Sequence, residues 1–173
     1  MSALTQFVSL NSLVAEIDSD TRLGLPPDYS GCAVAAVRTL IAAKVRGLHL
    51  IGCPQLGFQA DLLIGAGCVR IVESAAVTLQ EHGLAPRFSA AATDGSIQIL
   101  DSTCPVIHAG LQAAEKGIPF MPIRGVLGTD LVRHRNDWRV IDNPFGDADP
   151  ILLVPAIVHG CRAVPRTAQR CKW

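Results

Sequence analysis

From Leu48 to Glu73 the chain runs Leu-His-Leu-Ile-Gly-Cys, Pro-Gln-Leu-Gly, Phe-Gln-Ala-Asp-Leu-Leu-Ile, Gly-Ala-Gly and Cys-Val-Arg-Ile-Val-Glu. A short apolar run, a Gly/Pro turn, a small amphipathic segment, a glycine corner and a second apolar run make a strand, loop, helix and strand in that order. Such a unit belongs to an open α/β sheet, where ligands settle in loops just outside the carboxyl ends of strands.

The same alternation extends in both directions. Residues Leu10 to Ile17 suggest a short leading helix, and Thr21 to Leu25 a strand stopped by Pro26 and Pro27, which cannot continue a ladder. Val37, Leu40, Ile41 and Val45 recur at helical spacing opposite Arg38, Lys44 and Arg46, with Gly47 as the stop. Strands are then expected at Leu48 to Cys53 and Val69 to Val72, a helix at Ala85 to Thr93, and a strand at Ser96 to Leu100 after Gly95.

Ile107, Gly110, Leu111 and Ala114 follow Pro105 at i, i+3, i+4 and i+7, and Gly117 ends that helix. Two further strands, Phe120 to Arg124 and Ile151 to Ile157, flank a loop rich in Asp, Asn and Pro. Strands alternating with helices predict an α/β fold: an open, mostly parallel sheet flanked by helices.

Composition limits the function. With 49% apolar and 17% charged residues over 173 positions, the chain suits one folded domain with a sizeable core. Fifteen basic against fifteen acidic residues leave no net charge to attract nucleic acid or an anionic membrane, so any bound anion must be held locally. Met1 to Ser12 lacks the basic start and apolar run of a secretory signal, no run reaches the roughly 20 apolar residues of a spanning helix, and a cytoplasmic protein is expected. The six cysteines, at 32, 53, 68, 104, 161 and 171, show no Cys-x-x-Cys pair, so thiols are expected rather than zinc ligands.

Several segments together resemble one family. Gln59 to Gly67 (Gln-Ala-Asp-Leu-Leu-Ile-Gly-Ala-Gly), Asp101 to Pro105 (Asp-Ser-Thr-Cys-Pro), Leu111 to Gly117, Pro119 to Asp130 (Pro-Phe-Met-Pro-Ile-Arg-Gly-Val-Leu-Gly-Thr-Asp) and Val140 to Phe145 look like the alpha subunit of class I CoA transferases, in the branch similar to the alpha chain of glutaconate CoA-transferase. The likeness runs from about Leu13 to Ile157, and the order and spacing of the pieces carry it. It implies the fold shared by CoA transferases and the NagB/RpiA group, a partner beta subunit in a heterodimer or heterotetramer, and coenzyme A as substrate rather than a permanent cofactor. It further implies that the acyl-CoA thioester is attacked by a glutamate of the beta subunit, so that no catalytic residue and no metal ligand is expected in this chain.

The candidate residues for binding substrate and CoA are Gln55, Leu56, Gly57, Ser102, Thr103, Cys104, Arg124, Gly125 and Gly128. Pro54 to Gly57 follow a strand, where amides can face a thioester oxygen or simply make a turn. Gly65 and Gly67 read first as a structural corner. Ser102 and Thr103 read first as helix caps, and Cys104 as a thiol at a helix start without an evident base. Arg124, in a loop with Gly125, Gly128 and Thr129, either holds a carboxylate or CoA phosphate or pairs with Asp130.

Glu73 ends a strand and is expected to be solvated or to enter the pocket, while His49 and His108 read as satisfied or exposed. Glu81-His82-Gly83 superficially matches the Glu-x-Gly pattern of the partner-type subunit, but it falls in a different part of the alpha-type fold and is treated as a decoy. The domain is expected to span 1–157, with 158–173 an atypical tail departing from the family pattern. A shifted reading frame beginning inside Arg162 would restore family-like text, so a frameshifted, truncated C-terminus is expected.

Alternatives to a transferase are a CoA-dependent acyl-CoA hydrolase or ring-opening subunit on the same fold, and a noncatalytic ligand-sensing domain.

Overall fold

A computed structural model describes residues 8–146 and 149–157, and the backbone of 161–163. The leading helix α1 (Leu10–Val14) precedes strand β1 (Arg22–Leu25), helix α2 (Val34–Ala42), strand β2 (Leu48–Gly52), helix α3 (Phe58–Gly65), strand β3 (Val69–Ser74), helix α4 (Pro86–Asp94) and strand β4 (Gln98–Asp101). After them come helix α5 (Cys104–Glu115), strand β5 (Phe120–Ile123), the short helix α6 (Leu131–His134), and strands β6 (Arg139–Ile141), β7 (Ile151–Pro155) and β8 (Cys161–Ala163).

Five strands form one parallel sheet in the order β4-β3-β2-β1-β8. Because β1 to β4 step sideways one neighbour at a time, right-handed crossovers place α2, α3 and α4 on a single face. Leu23, Leu25, Leu48, Leu50 and Val72 point to that face and pack with Val37, Leu40, Leu63 and Ala91 in the main core. Ile51, the next residue along β2, points the other way and meets Ile107 and Ile157, so α5 covers the opposite face.

The expectation of a mostly parallel sheet holds for β1 to β4 and β8, whereas β5 and β7 lie outside that sheet. Phe120 to Arg124 and Ile151 to Ile157 were expected to join it, but β5 and β7 pair antiparallel with each other, and β6 completes a separate three-stranded sheet in the order β5-β7-β6. A parallel neighbour requires a crossover that spans the sheet, and among the described residues the only helix between these strands is the four-residue α6. Of the segment expected to be an atypical tail, 161–163 pairs with β1, and 158–160 and 164–173 lie outside the described residues.

Helix α2 also ends before Gly47: it stops at Ala42, and Lys44 takes the left-handed conformation with φ 56. Gly95 closes α4 in the same conformation with φ 72, as the sequence suggested.

The Gln-Ala-Asp segment holds the helical layer together. Asp28 Oδ2 accepts the Phe58 N–H at 2.6 Å at the start of α3. Gln59 of α3 accepts the Ala33 N–H at 2.8 Å at the start of α2. Asp61 of α3 accepts the Arg87 and Phe88 N–H groups at 2.9 and 3.0 Å, capping α4. The central helix therefore supplies side-chain acceptors to both neighbours, whose first amides have no partner within their own helices.

Candidate functional site

Three loops leave the carboxyl ends of β2, β4 and β5 and meet around the first turn of α5. Beyond β2 the chain passes a cis Cys53–Pro54 bond into Gln55, Leu56 and Gly57. Leu56 is turned inward: it is fully buried, its N–H donates to Ala76 O at 2.9 Å, and its carbonyl accepts from Thr78 N at 3.1 Å. That amide is spent and is not free for a thioester oxygen. Gly57 is a close-approach glycine, since a Cβ there would strike the Asp28 carboxylate that caps α3. Gln55 keeps a side chain directed at the loop cluster, with Nε2 3.9 Å from Cys104 Sγ.

Beyond β4, Ser102 N–H donates to Asp101 Oδ1 at 2.9 Å. Thr103 is the N-cap residue of α5, yet neither hydroxyl caps the helix: Ser102 Oγ and Thr103 Oγ1 are both buried without a hydrogen-bond partner. The expected capping role is thereby corrected. Beyond β5, Val126 shares a buried apolar cluster with Val106 of α5, which draws the loop carrying Arg124, Gly125, Gly128 and Thr129 toward the same helix turn. Arg124 does not pair with Asp130; it lies 3.9 Å from Asp149, while Asp130 takes Arg133 at 3.1 Å.

Around the start of α5 there are thus unpaired helix amides with their positive end, the two hydroxyls, an amide side chain and a thiol. Such an arrangement favours a carbonyl oxygen or anion.

Behind these loops lies a network that the sequence did not disclose. Glu73 is the register partner of Ile51 and therefore points to the α5 side of the sheet, where it is buried rather than solvated. Arg135, in the loop between α6 and β6, donates from Nη2 to Glu73 Oε1 at 2.6 Å and to Asp137 Oδ2 at 2.8 Å. Its Nε reaches Asp137 Oδ1 at 2.8 Å and its Nη1 reaches the Asp101 carbonyl at 3.2 Å. The guanidinium also stacks 4.5 Å from the Trp138 ring centroid. His49 Nε2 is 3.2 Å from Glu73 Oε2, a distance that permits a hydrogen bond although the angle does not, so Nε2 lacks a well-aligned partner. These groups line a cavity of about 450 Å³ between the two sheets.

Burial by itself would raise the carboxyl of Glu73, but contact with His49 and the charge of Arg135 outweigh it and hold the group below its ordinary 4.5. Asp137 behaves likewise: burial raises it, the Arg135 hydrogen bond and charge lower it further, and it ends below 3.8. A carboxyl depressed in the folded state stabilises at pH above its unfolded value and loses that contribution as pH falls through the folded value. Thermal unfolding measured from pH 7 to pH 3 is expected to show stability unchanged by this network down to about pH 5 and falling below that, with Glu73→Gln removing part of the acid dependence.

The remaining candidates lie elsewhere. Glu81 and His82 sit in an exposed 3-10 turn, Gln80–His82, 3.8 Å apart and away from the α5 start. His108 is exposed on α5, and Gly65 packs against the Arg87 side chain. Cys32, Cys53, Cys68 and Cys104 remain thiols, and among the described residues no cluster of three His, Cys, Asp or Glu side chains is placed to hold a metal ion. No described helix is long and apolar enough to cross a membrane.

No protein-family model matches the chain. Among curated proteins it is 31% identical over 159 residues to the cholesterol ring-cleaving hydrolase IpdA subunit of Rhodococcus jostii (strain RHA1), an alignment covering 87% of this chain and 52% of that protein. The chain therefore spans about half the length of that relative. Among solved structures, glutaconate coenzyme A-transferase from Acidaminococcus fermentans superposes with a TM-score of 0.74 at 21% identity, over 86% of this chain and 52% of the other. A variant of the decarboxylase AibA/AibB superposes with a TM-score of 0.76 at 24% identity, over 88% and 58% of the two chains. The open parallel sheet covered by helices agrees with these superpositions, and the chain shares its fold with glutaconate coenzyme A-transferase and the decarboxylase AibA/AibB.

Proposed function

We propose that the chain is the alpha-type part of a CoA transferase that moves CoA between an acyl-CoA thioester and a carboxylic acid, working with a beta subunit. The observation that carries this reading is the meeting of the loops after β2, β4 and β5 at the start of α5, where Ser102 and Thr103 hold buried hydroxyls without partners. A thioester carbonyl placed there gains negative charge when a nucleophile adds, and helix amides with the Gln55 side chain stabilise that charge without reorganising. Gln55, Ser102, Thr103 and Cys104 form the wall nearest the reacting carbon. Arg124, Gly125 and Gly128 supply a flexible, cationic margin for the CoA phosphates or the incoming carboxylate, and Leu56 and Gly57 shape the loop rather than touch the substrate.

The attacking carboxylate comes from the partner. It adds to the thioester carbon and expels CoA as thiolate, leaving a mixed anhydride. The thiolate then attacks the glutamyl carbonyl and releases the first acid. The second acid takes the same route in reverse, so covalent catalysis divides one difficult transfer into easier steps.

A second reading has its own support, because the curated relative is named a hydrolase subunit. There the same wall would stabilise attack by water, with net loss of thioester. The chain co-purified with its beta-type partner is to be incubated with a panel of short-chain acyl-CoAs and isotopically labelled acids. Label entering the thioester pool supports transfer; thioester loss without exchange supports hydrolysis. Either activity from this chain alone would remove the partner from the mechanism.

A further inference from the structure

We propose that Arg135 is a positioning residue for the thioester site: by holding the Asp101 carbonyl while anchored to Glu73 and Asp137, it sets the β4–α5 turn that presents Ser102, Thr103 and Cys104. The proposal rests on the reading of that turn as a substrate wall.

Among the described residues strand β4 is the edge of the parallel sheet and pairs only with β3, so no described strand secures the outer side of its last residue. Asp101 is that last residue, and Ser102 follows it by one peptide bond. Arg135 Nη1 reaches the Asp101 carbonyl at 3.2 Å, and the rest of the guanidinium is committed in other directions. Asp137 is gripped through Nε and Nη2, both at 2.8 Å, and Glu73 through Nη2 at 2.6 Å. The Trp138 ring closes one face of the plane at 4.5 Å.

A guanidinium held at four acceptor oxygens and stacked on a ring cannot swing, because its donors form one rigid fork. Glu73 pairs in register with Leu100 of β4, so anchor and cargo belong to adjacent strands. Any displacement of the Asp101 carbonyl passes directly to Ser102 and to the first amides of α5. Misplacing a binding wall by about 1 Å can cost up to a hundredfold in rate, which makes such a fixture worth a buried cation.

Simple structural bracing would loosen the molecule as a whole; positioning would loosen the turn selectively. Arg135→Lys keeps the cation against both carboxylates but cannot form the fork. Asp137→Asn keeps one acceptor at a half-exposed position and serves as the milder variant. On each folded variant, shown to unfold cooperatively, the rate of Cys104 alkylation by iodoacetamide is read by peptide mass spectrometry, with Cys32, Cys53 and Cys68 as internal references. Arg135→Lys is expected to raise the Cys104 rate on the order of tenfold, and Asp137→Asn less, with the reference thiols unchanged. A parallel rise at every thiol, or no change at Cys104, overturns the proposal.

This readout needs no substrate. With the beta partner present and butyryl-CoA as probe, Arg135→Lys is also expected to lower kcat, referred to the folded enzyme titrated in the same sample, on the order of tenfold with KM nearly unchanged, whereas an unchanged kcat per folded enzyme would count against positioning. If the wild-type pair neither exchanges CoA nor hydrolyses any thioester in the panel, the substrate reading fails while the alkylation rates still judge the clamp.

Discussion

Replacing Arg135 with methionine is expected to lower the unfolding free energy by about 3–5 kcal/mol at neutral pH, the range typical of breaking a buried ion pair from one side. The Arg135 side chain is only 3% exposed, and Glu73 at 10% would remain without its cation. Methionine fills much of the volume, so the cost is chiefly the carboxylate left behind rather than a void. Stabilities of about 5–15 kcal/mol are usual for domains, and a loss of this size leaves a marginal fold.

Urea unfolding at pH 7 measures the loss directly. The same experiment near pH 4 is expected to show a smaller difference between wild type and variant, because Glu73 in the variant escapes its penalty by taking up a proton. Adding Glu73→Gln to Arg135→Met is expected to recover part of the loss. A cost below about 1 kcal/mol, insensitive to pH, would mean that water reaches and solvates the carboxylate.

The contrast between what the sequence revealed and what it concealed follows from the range of the interactions. Strands β1 to β4 and the helices between them were legible because their signals are local: apolar runs, proline and glycine stops, and a period that switches from helix to strand. The partners of β5 and β7 were not, because pairing direction depends on what lies between two strands, and the described part of the segment joining them has neither a long helix nor one tight turn that links the strands directly. Leu56 and Gly57 were placed after β2, but only the structure assigns the Leu56 amide to Ala76 and leaves no room for a side chain at Gly57 beside the Asp28 carboxylate.

The network around Arg135 gives no local sign at all. Its members lie on β2, β3, the end of β4 and a loop 62 positions beyond Glu73. One hint was available: His49 and Glu73 lie within inner strands of the parallel sheet, and a buried parallel sheet tolerates such residues only when something pairs with them. The pairing rule identifies the need; it does not identify the partner.

Asp61 carries the second large effect, and its case rests on burial and geometry rather than on charge. Its side chain is 1% exposed, and Oδ1 accepts the Arg87 and Phe88 amides at 2.9 and 3.0 Å, while Oδ2 takes the Arg87 guanidinium at 3.0 Å. The guanidinium arm is half in water and adds little. The two amides belong to the first turn of α4 and have no other acceptor within that helix. Asp61→Ala therefore removes a cap and leaves two donors at a packed helix junction, for an expected loss of about 3 kcal/mol. Asp61→Asn retains a carbonyl oxygen for both amides but presents an NH2 group to Arg87, so an intermediate loss of about 1–2 kcal/mol is expected. Chemical denaturation of both variants, with hydrogen exchange at the Arg87 and Phe88 amides, checks the assignment: exchange there should accelerate in Asp61→Ala more than in Asp61→Asn. Equal losses in the two variants would show that the carboxylate acts through its charge, not through the cap, and the Gln-Ala-Asp segment would then need a different explanation from the one its backbone-amide hydrogen bonds provide.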